Sequence, residues 1–258
     1  MSNIYKAFEN GKAFIGFVTG GDPSIEKTEE FILEMARAGA DLVEIGIPFS
    51  DPIAEGPVIQ RANVRALNAL TTLEKIFSLV EGLRCKIETP LVFLSYLNPV
   101  FNYGYDAFFK RCQDTGVDGI IVPDLPFEEQ GELRDIALAH NVDIISLIAP
   151  TSEDRIRSIA QAASGFLYLV SSLGVTGVRG EFKADIAGMV SSVRAATKLP
   201  LAVGFGIHTP AQATEMAKLA DGVIVGSAIV KIIEEHGESA TPYIYEYVKQ
   251  MKEAVCEK

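Results

Sequence analysis

The 258 residues include no tryptophan, only three cysteines and only three histidines. Cys85, Cys112 and Cys256 are odd in number and show no C-x-x-C spacing, which suits reduced thiols in a cytosolic protein. His140, His208 and His236 make no spaced pair with each other or with a cysteine, so no zinc or iron site is expected. Basic residues are also short: 23 Lys and Arg against 34 Asp and Glu leave a net charge of −11. That balance argues against a nucleic-acid partner and against binding to an anionic membrane surface. No apolar run approaches the roughly 20 residues that cross a bilayer. The segment Met1–Lys6 lacks the charged-then-apolar layout of a secretion signal, so a cytoplasmic chain is expected. No G-x-S-x-G, Walker-type loop or G-x-G-x-x-G after the first apolar run is found, which removes several nucleophilic and nucleotide-binding chemistries.

What the chain has is 48% hydrophobic residues, ample for a core without staples. Eight short apolar runs read as strands: Phe14–Thr19, Leu42–Gly46, Leu91–Tyr96, Gly119–Val122, Asp143–Ile148, Phe166–Val170, Leu201–Gly204 and Gly222–Val225. They are continuous rather than alternating, as expected of parallel strands buried on both faces. Between them lie amphipathic segments at Ile25–Ala38, Glu128–His140, Glu153–Ala163, Ala184–Thr197 and Thr209–Ala220, with a further helix at Tyr243–Cys256. Ser152 and Thr209 stand where helix caps belong. The motif Gly39-Ala40-Asp41-Leu42 echoes in Gly116-Val117-Asp118-Gly119 and Ala220-Asp221-Gly222, each time placing an acid just before a strand. Eight units of about 32 residues predict an α/β fold of the (β/α)8 TIM-barrel class, one domain over 1–258 with short N- and C-terminal helices. An open doubly wound sheet is the alternative.

In such a barrel the loops after the strands build the active site. The second strand carries Glu44 among apolar neighbours, where a carboxylate is costly unless paired or functional. Burial would raise its pKa toward neutrality and ready it for proton exchange. A structural ion pair fits the same position equally well. The loop from Ile47 to Pro57 brings Asp51 and Glu55 over the mouth; either is also an ordinary solvated loop charge. Glycine corners follow the last two strands, at Gly204-Phe205-Gly206 and Gly226-Ser227. The second opens a helix whose free N–H groups and positive dipole end suit a phosphate. A backbone site of that kind needs no lysine, which reconciles an anionic ligand with the net charge. The segment Ser172–Glu181 is glycine-rich and reads as a lid or as a plain surface loop. Within it, Arg179 is either a phosphate contact or a solvated side chain.

Leu42–Pro52 with Gly56-Pro57 closely resembles the signature of the tryptophan synthase alpha chain family. The likeness continues through Phe17-Val18-Thr19, Gly21-Asp22-Pro23, Val122–Pro126, Gly174–Gly177 and Gly226–Lys231. The resemblance implies a lyase of tryptophan biosynthesis that cleaves indole-3-glycerol phosphate to indole and glyceraldehyde 3-phosphate. It implies no cofactor on this chain, and a partner beta chain in an alpha2beta2 heterotetramer that carries pyridoxal phosphate. By motif, Glu44 matches the family's acid/base. Glu55 matches the second carboxylate, which is normally aspartate. Phe17, Leu94, Ile121, Ile148 and Phe205 would line the indole pocket, and Tyr96 and Tyr168 would stand near the glycerol portion. Thr176 would orient Glu44. Gly177, Gly206, Gly226 and Ser227 would hold the phosphate. Pro123 stands where the family often has alanine. The nearest rivals are another phosphate-binding barrel, such as a sugar-phosphate isomerase, and a weakly catalytic subunit that chiefly activates its partner.

Overall fold

A computed structural model describes residues 2–170, 179–204 and 206–257, without the side chains of 179–185. The strands are β1 (Ala13–Thr19), β2 (Leu42–Gly46), β3 (Leu91–Leu94), β4 (Gly119–Ile121), β5 (Asp143–Ile144), β6 (Ser146–Ile148), β7 (Leu167–Val170), β8 (Leu201–Gly204) and β9 (Gly222–Val225). All pair in parallel, in the order β5-β4-β3-β2-β1-β9-β8-β7-β6. The two ends, β5 and β6, are halves of one stretch separated by Ile145, whose N–H still donates to Ile120 O at 2.9 Å. The sheet therefore closes into the eight-staved barrel expected from the apolar runs.

The helices are α1 (Lys6–Glu9), α2 (Ile25–Arg37), α3 (Pro57–Asn68), α4 (Leu73–Arg84), α5 (Leu97–Tyr103), α6 (Tyr105–Thr115), α7 (Gly131–Ala139), α8 (Glu153–Ala162), α9 (Arg179–Ala196), α10 (Pro210–Ala217), α11 (Ser227–His236) and α12 (Thr241–Cys256). Ser152 accepts from Arg155 N, and Thr209 forms a full capping box with Gln212, as their positions predicted. The helix expected from Glu128 starts later: a short 3-10 turn at Phe127–Glu129 precedes α7. The α3, α4, α5 and α6 segments are helices that the apolar periodicity does not mark. They fill the gaps between β2 and β3 and between β3 and β4.

Pleat parity divides the core in two. Phe14, Val18, Val43 and Ile45 face the helices, while Ala13, Ile15, Leu42, Val92, Ile121 and Phe166 fill the barrel. Ile4 and Phe8, at and before α1, join the inner cluster, and Phe8 meets Phe166 at 5.7 Å between ring centroids. This plug occupies the N-terminal end and leaves the other end as the mouth.

The echoed acids have one job three times over. Asp41 accepts from Phe14 N at 2.7 Å, Asp118 from Leu91 N at 3.0 Å and Asp221 from Leu201 N at 2.9 Å. Each carboxylate satisfies the first orphan N–H of a neighbouring strand and is itself paired with a cation: Lys252, Arg84 and Arg194.

Candidate active site

Glu44 sits at the centre of β2, opposite Phe17 on β1 and Val92 on β3. It shares the inward face with Leu42, so alternation alone points its carboxyl into the barrel. The residue is 1% exposed, and among the described residues nothing donates a hydrogen bond to its Oε1. Nor does any described cation pair with it, so the ion-pair reading fails. Burial without compensation pushes its pKa up to about 8. Tyr168 is partly buried on the same inner face; burial, and secondarily the charge of Glu44, holds its hydroxyl well above the usual range.

Two glycines make room for the rings. A Cβ on Gly46 would come 2.7 Å from Phe17 Cζ, and one on Gly204 would come 2.4 Å from the Tyr168 hydroxyl. Phe17 is roofed by Val58, Ile59 and Ala62 of α3 and by Val230 of α11, with Leu94 beside it. Leu94, Ile121 and Tyr168 belong to the inner cluster, as expected of pocket residues.

Ile148 does not. It is fully buried among the helix-facing residues, whereas Leu147, opposite Tyr168, faces inward. The expectation for Ile148 is thus corrected by one residue. In an unbroken apolar run, composition does not reveal which parity points inward. The register with Tyr168 does.

The loop between β2 and α3 is tied at three points. Ala54 N–H donates to the buried Tyr96 hydroxyl at 2.9 Å, and Gln60 donates to the Glu55 carbonyl at 2.8 Å. Asn63 Nδ2 donates to Glu55 Oε2 at 2.6 Å. Tyr96, whose ring lies 5.3 Å from that of Phe49, therefore anchors the loop. Burial raises the pKa of Glu55, and the Asn63 bond opposes that rise. Asp51 is exposed and accepts from the hydroxyl of its neighbour Ser50. Asp124, within the motif Val122–Pro126, accepts from Leu97 N at 2.9 Å and so holds the start of α5.

Gly206 has φ 74 and open space around its Cα, as close backbone approach to a ligand requires. Gly226 precedes α11, whose first turn contains no acid, with Ser227 exposed. These corners follow the adjacent strands β8 and β9. Thr176, Gly177 and Phe205 lie outside the described residues, as does most of Ser172–Glu181.

The α3 helix is clamped beside this mouth. Arg65 makes two 2.8 Å bonds to the fully buried Asp22 and a 3.1 Å bond to Glu234 of α11. Arg61 adds bonds of 2.6 and 2.8 Å to the same Glu234, which is held down to about pKa 2, chiefly by Arg61.

A closed barrel whose mouth holds an uncompensated acid, a second tethered carboxylate and a free helix N-terminus defines an acid/base enzyme for an anionic substrate. The tryptophan synthase alpha chain profile matches residues 5–256. A tryptophan synthase alpha chain from Lactiplantibacillus plantarum is 51% identical, over 99% of this chain and 97% of its own length. One from Lacticaseibacillus casei is 49% identical over 99% and 96%. The crystal structure of the Legionella pneumophila alpha subunit superposes with a TM-score of 0.90 at 38% identity, covering 99% and 98%. A structure of the Pyrococcus furiosus a2b2 complex matches at 0.84 and 34% identity, over 94% of this chain and 99% of that one. The chain belongs to the tryptophan synthase alpha chain family.

Proposed function

We propose that this chain cleaves indole-3-glycerol phosphate to indole and glyceraldehyde 3-phosphate, with Glu44 and Glu55 as its two working carboxylates. The observation that carries this reading is Glu44: fully buried at the mouth, without a donor on Oε1 among the described residues, and protonated up to about pH 8. A carboxyl in that state is a general acid at neutral pH. The reaction needs such an acid. Cleavage proceeds as the indole C3 takes a proton, the indole nitrogen takes up positive charge and the adjoining hydroxyl loses its proton to become the aldehyde. The electron pair of the broken C–C bond returns to the indole ring, so nothing is oxidised or reduced.

Glu44 delivers the proton to C3 and, as the carboxylate so formed, takes the proton that the hydroxyl loses, which returns it to the acid form. Glu55, whose charged form is favoured by the Asn63 amide, balances the charge at the indole nitrogen. Burial pushes both carboxyls up, but only Glu55 has a described donor that favours its anion, and that difference is what assigns Glu44 as the acid and Glu55 as the anion. Phe17, Leu94, Ile121 and Leu147 supply the apolar walls for the ring, and Tyr168 stands over Glu44. Thr176 and Gly177, on the segment after β7, and Phe205 complete the site in this reading. Backbone N–H groups around Gly206, Gly226 and Ser227 hold the phosphate, so the −11 charge is no obstacle.

The chain works in the cytoplasm, as one domain, and needs no cofactor of its own. Pyridoxal phosphate belongs to a beta chain that joins it in an alpha2beta2 assembly and takes up the indole. Among the described residues no helix is long and apolar enough to cross a membrane. The direct test is Glu44→Gln, which keeps shape and removes the proton. It should lower indole release by at least about a thousandfold while a substrate analogue still binds. Cleavage near the parent rate would end the assignment.

A further inference from the structure

We infer that Asn63 is a positioning residue for Glu55, and that its amide sets where this longer-than-usual loop carboxylate points. The inference rests on the reading of Glu55 as the second working carboxylate. Asn63 lies in the seventh position of α3, well inside the helix and far from any cap. The buried face of α3 is otherwise Ala62 and Ala66, with Ile59 one turn back, so an amide there is out of keeping with its neighbours. Asparagine is a poor residue for a helix interior, and a buried amide costs free energy unless bonded. Asn63 is 3% exposed, and its Nδ2 donates to Glu55 Oε2 at 2.6 Å.

The rest of the loop is held by its backbone: Ala54 N–H on the Tyr96 hydroxyl and the Glu55 carbonyl on Gln60. Those ties fix where the Glu55 Cα lies but leave its side-chain torsions open. Glutamate has one more torsion than aspartate, and the Asn63 bond removes that freedom. The donor comes from a rigid support. Asn63 stands between Arg61 and Arg65, which pin α3 to Asp22 on one side and to Glu234 of α11 on the other. A functional carboxylate held by a donor on a fixed element keeps its geometry within the tolerance catalysis needs.

The test is Asn63→Leu, close in volume but without a donor, in the full chain. Cleavage is followed through oxidation of the released glyceraldehyde 3-phosphate. The expected result is a kcat lowered about 10–100-fold with KM changed less than about threefold. The acid limb of the pH profile should move to higher pH, because burial of Glu55 remains while the bond favouring its anion is gone. In a Glu55→Ala background Asn63→Leu should cost nothing more. Asn63→Asp, isosteric and also without the donor, should repeat the loss and shift the acid limb further; it serves if the leucine variant does not fold. A kcat within twofold of the parent in both variants would overturn the inference, as would equal losses with and without Glu55. If Glu55→Ala itself leaves cleavage intact, the reading of Glu55 has failed and the role of Asn63 falls with it. If Glu55→Ala is inactive and Asn63→Leu is not, only the inference has failed.

Discussion

Glu44 stores free energy in the native state. Its carboxyl keeps a proton up to about pH 8 in the fold but ionises near 4.5 in an unfolded chain. Between those values the native state binds the extra proton, so stability falls as pH rises. The penalty is absent below 4.5 and complete above 8. Glu44→Gln should therefore melt like the parent near pH 4 and higher than it near pH 9, by roughly 3–5 kcal/mol. Calorimetry at the two pH values measures this directly. The same titration should give cleavage an alkaline limb near pH 8, as the acid loses its proton. Gly204 makes a second, steric prediction. The Cβ of Gly204→Ala would stand 2.4 Å from the Tyr168 hydroxyl and 2.6 Å from its Cε1, so the ring must swing away. A loss of about 1–3 kcal/mol is expected on denaturant unfolding. Activity should fall further than stability alone explains, because Tyr168 faces Glu44.

The α3 helix converts a set of surface-type residues into a fixed wall of the mouth. Its start is shaped by Gly56 before it and Pro57 in its first turn. Its position comes from Arg65, whose fork meets both oxygens of a buried Asp22. Arg65→Met should cost about 2–4 kcal/mol, since it strands a fully buried carboxylate without its cation. Asp22→Asn combined with Arg65→Met should recover part of the loss, as the charge is then gone from both sides. Urea unfolding of the two variants separates these outcomes. The clamp also joins α3 to α11 through Glu234, so the wall that carries Asn63 and the helix proposed for the phosphate share one ionic hub. The lower-rim acids Asp41, Asp118 and Asp221 do similar work at the opposite end, each tying a strand start to its neighbour.

Among the described residues Ile4 and Phe8 plug one end of the barrel, so a beta chain that takes up indole, as proposed, would reach the opposite end. Ile53 is 80% exposed two residues before Glu55, in the loop that rims this opening. Contact with a beta chain would therefore bear on the loop that carries the second carboxylate. By linkage, a substrate analogue and the beta chain should each tighten the other's binding by the same factor, about 5–150-fold. Titration calorimetry in both orders measures that factor, and a factor of one would separate the loop from the interface. The absence of tryptophan helps the optical version of the experiment. The chain's own emission is tyrosine only, so bound indole is seen without background from this subunit.

The order of apolar runs and amphipathic segments already specifies a parallel barrel, because periodicity is a local consequence of backbone geometry. Most strand limits read from composition agree with those observed to within one or two residues. The long signature around Glu44 and Glu55 likewise identifies the working carboxylates as candidates without any contact being known. Other features depend on which side chains meet across the sheet. Leu147 and not Ile148 faces the pocket because pairing with Tyr168 sets the parity, and a one-residue shift inverts it. Glu44 is an acid near neutrality, and not half of an ion pair, because no described charge packs against it. Tyr96 holds a loop, and Asn63 reaches Glu55, because a buried donor must find its acceptor wherever packing leaves one. Periodicity is written along the chain, whereas burial and pairing arise only once distant segments exclude water from one another.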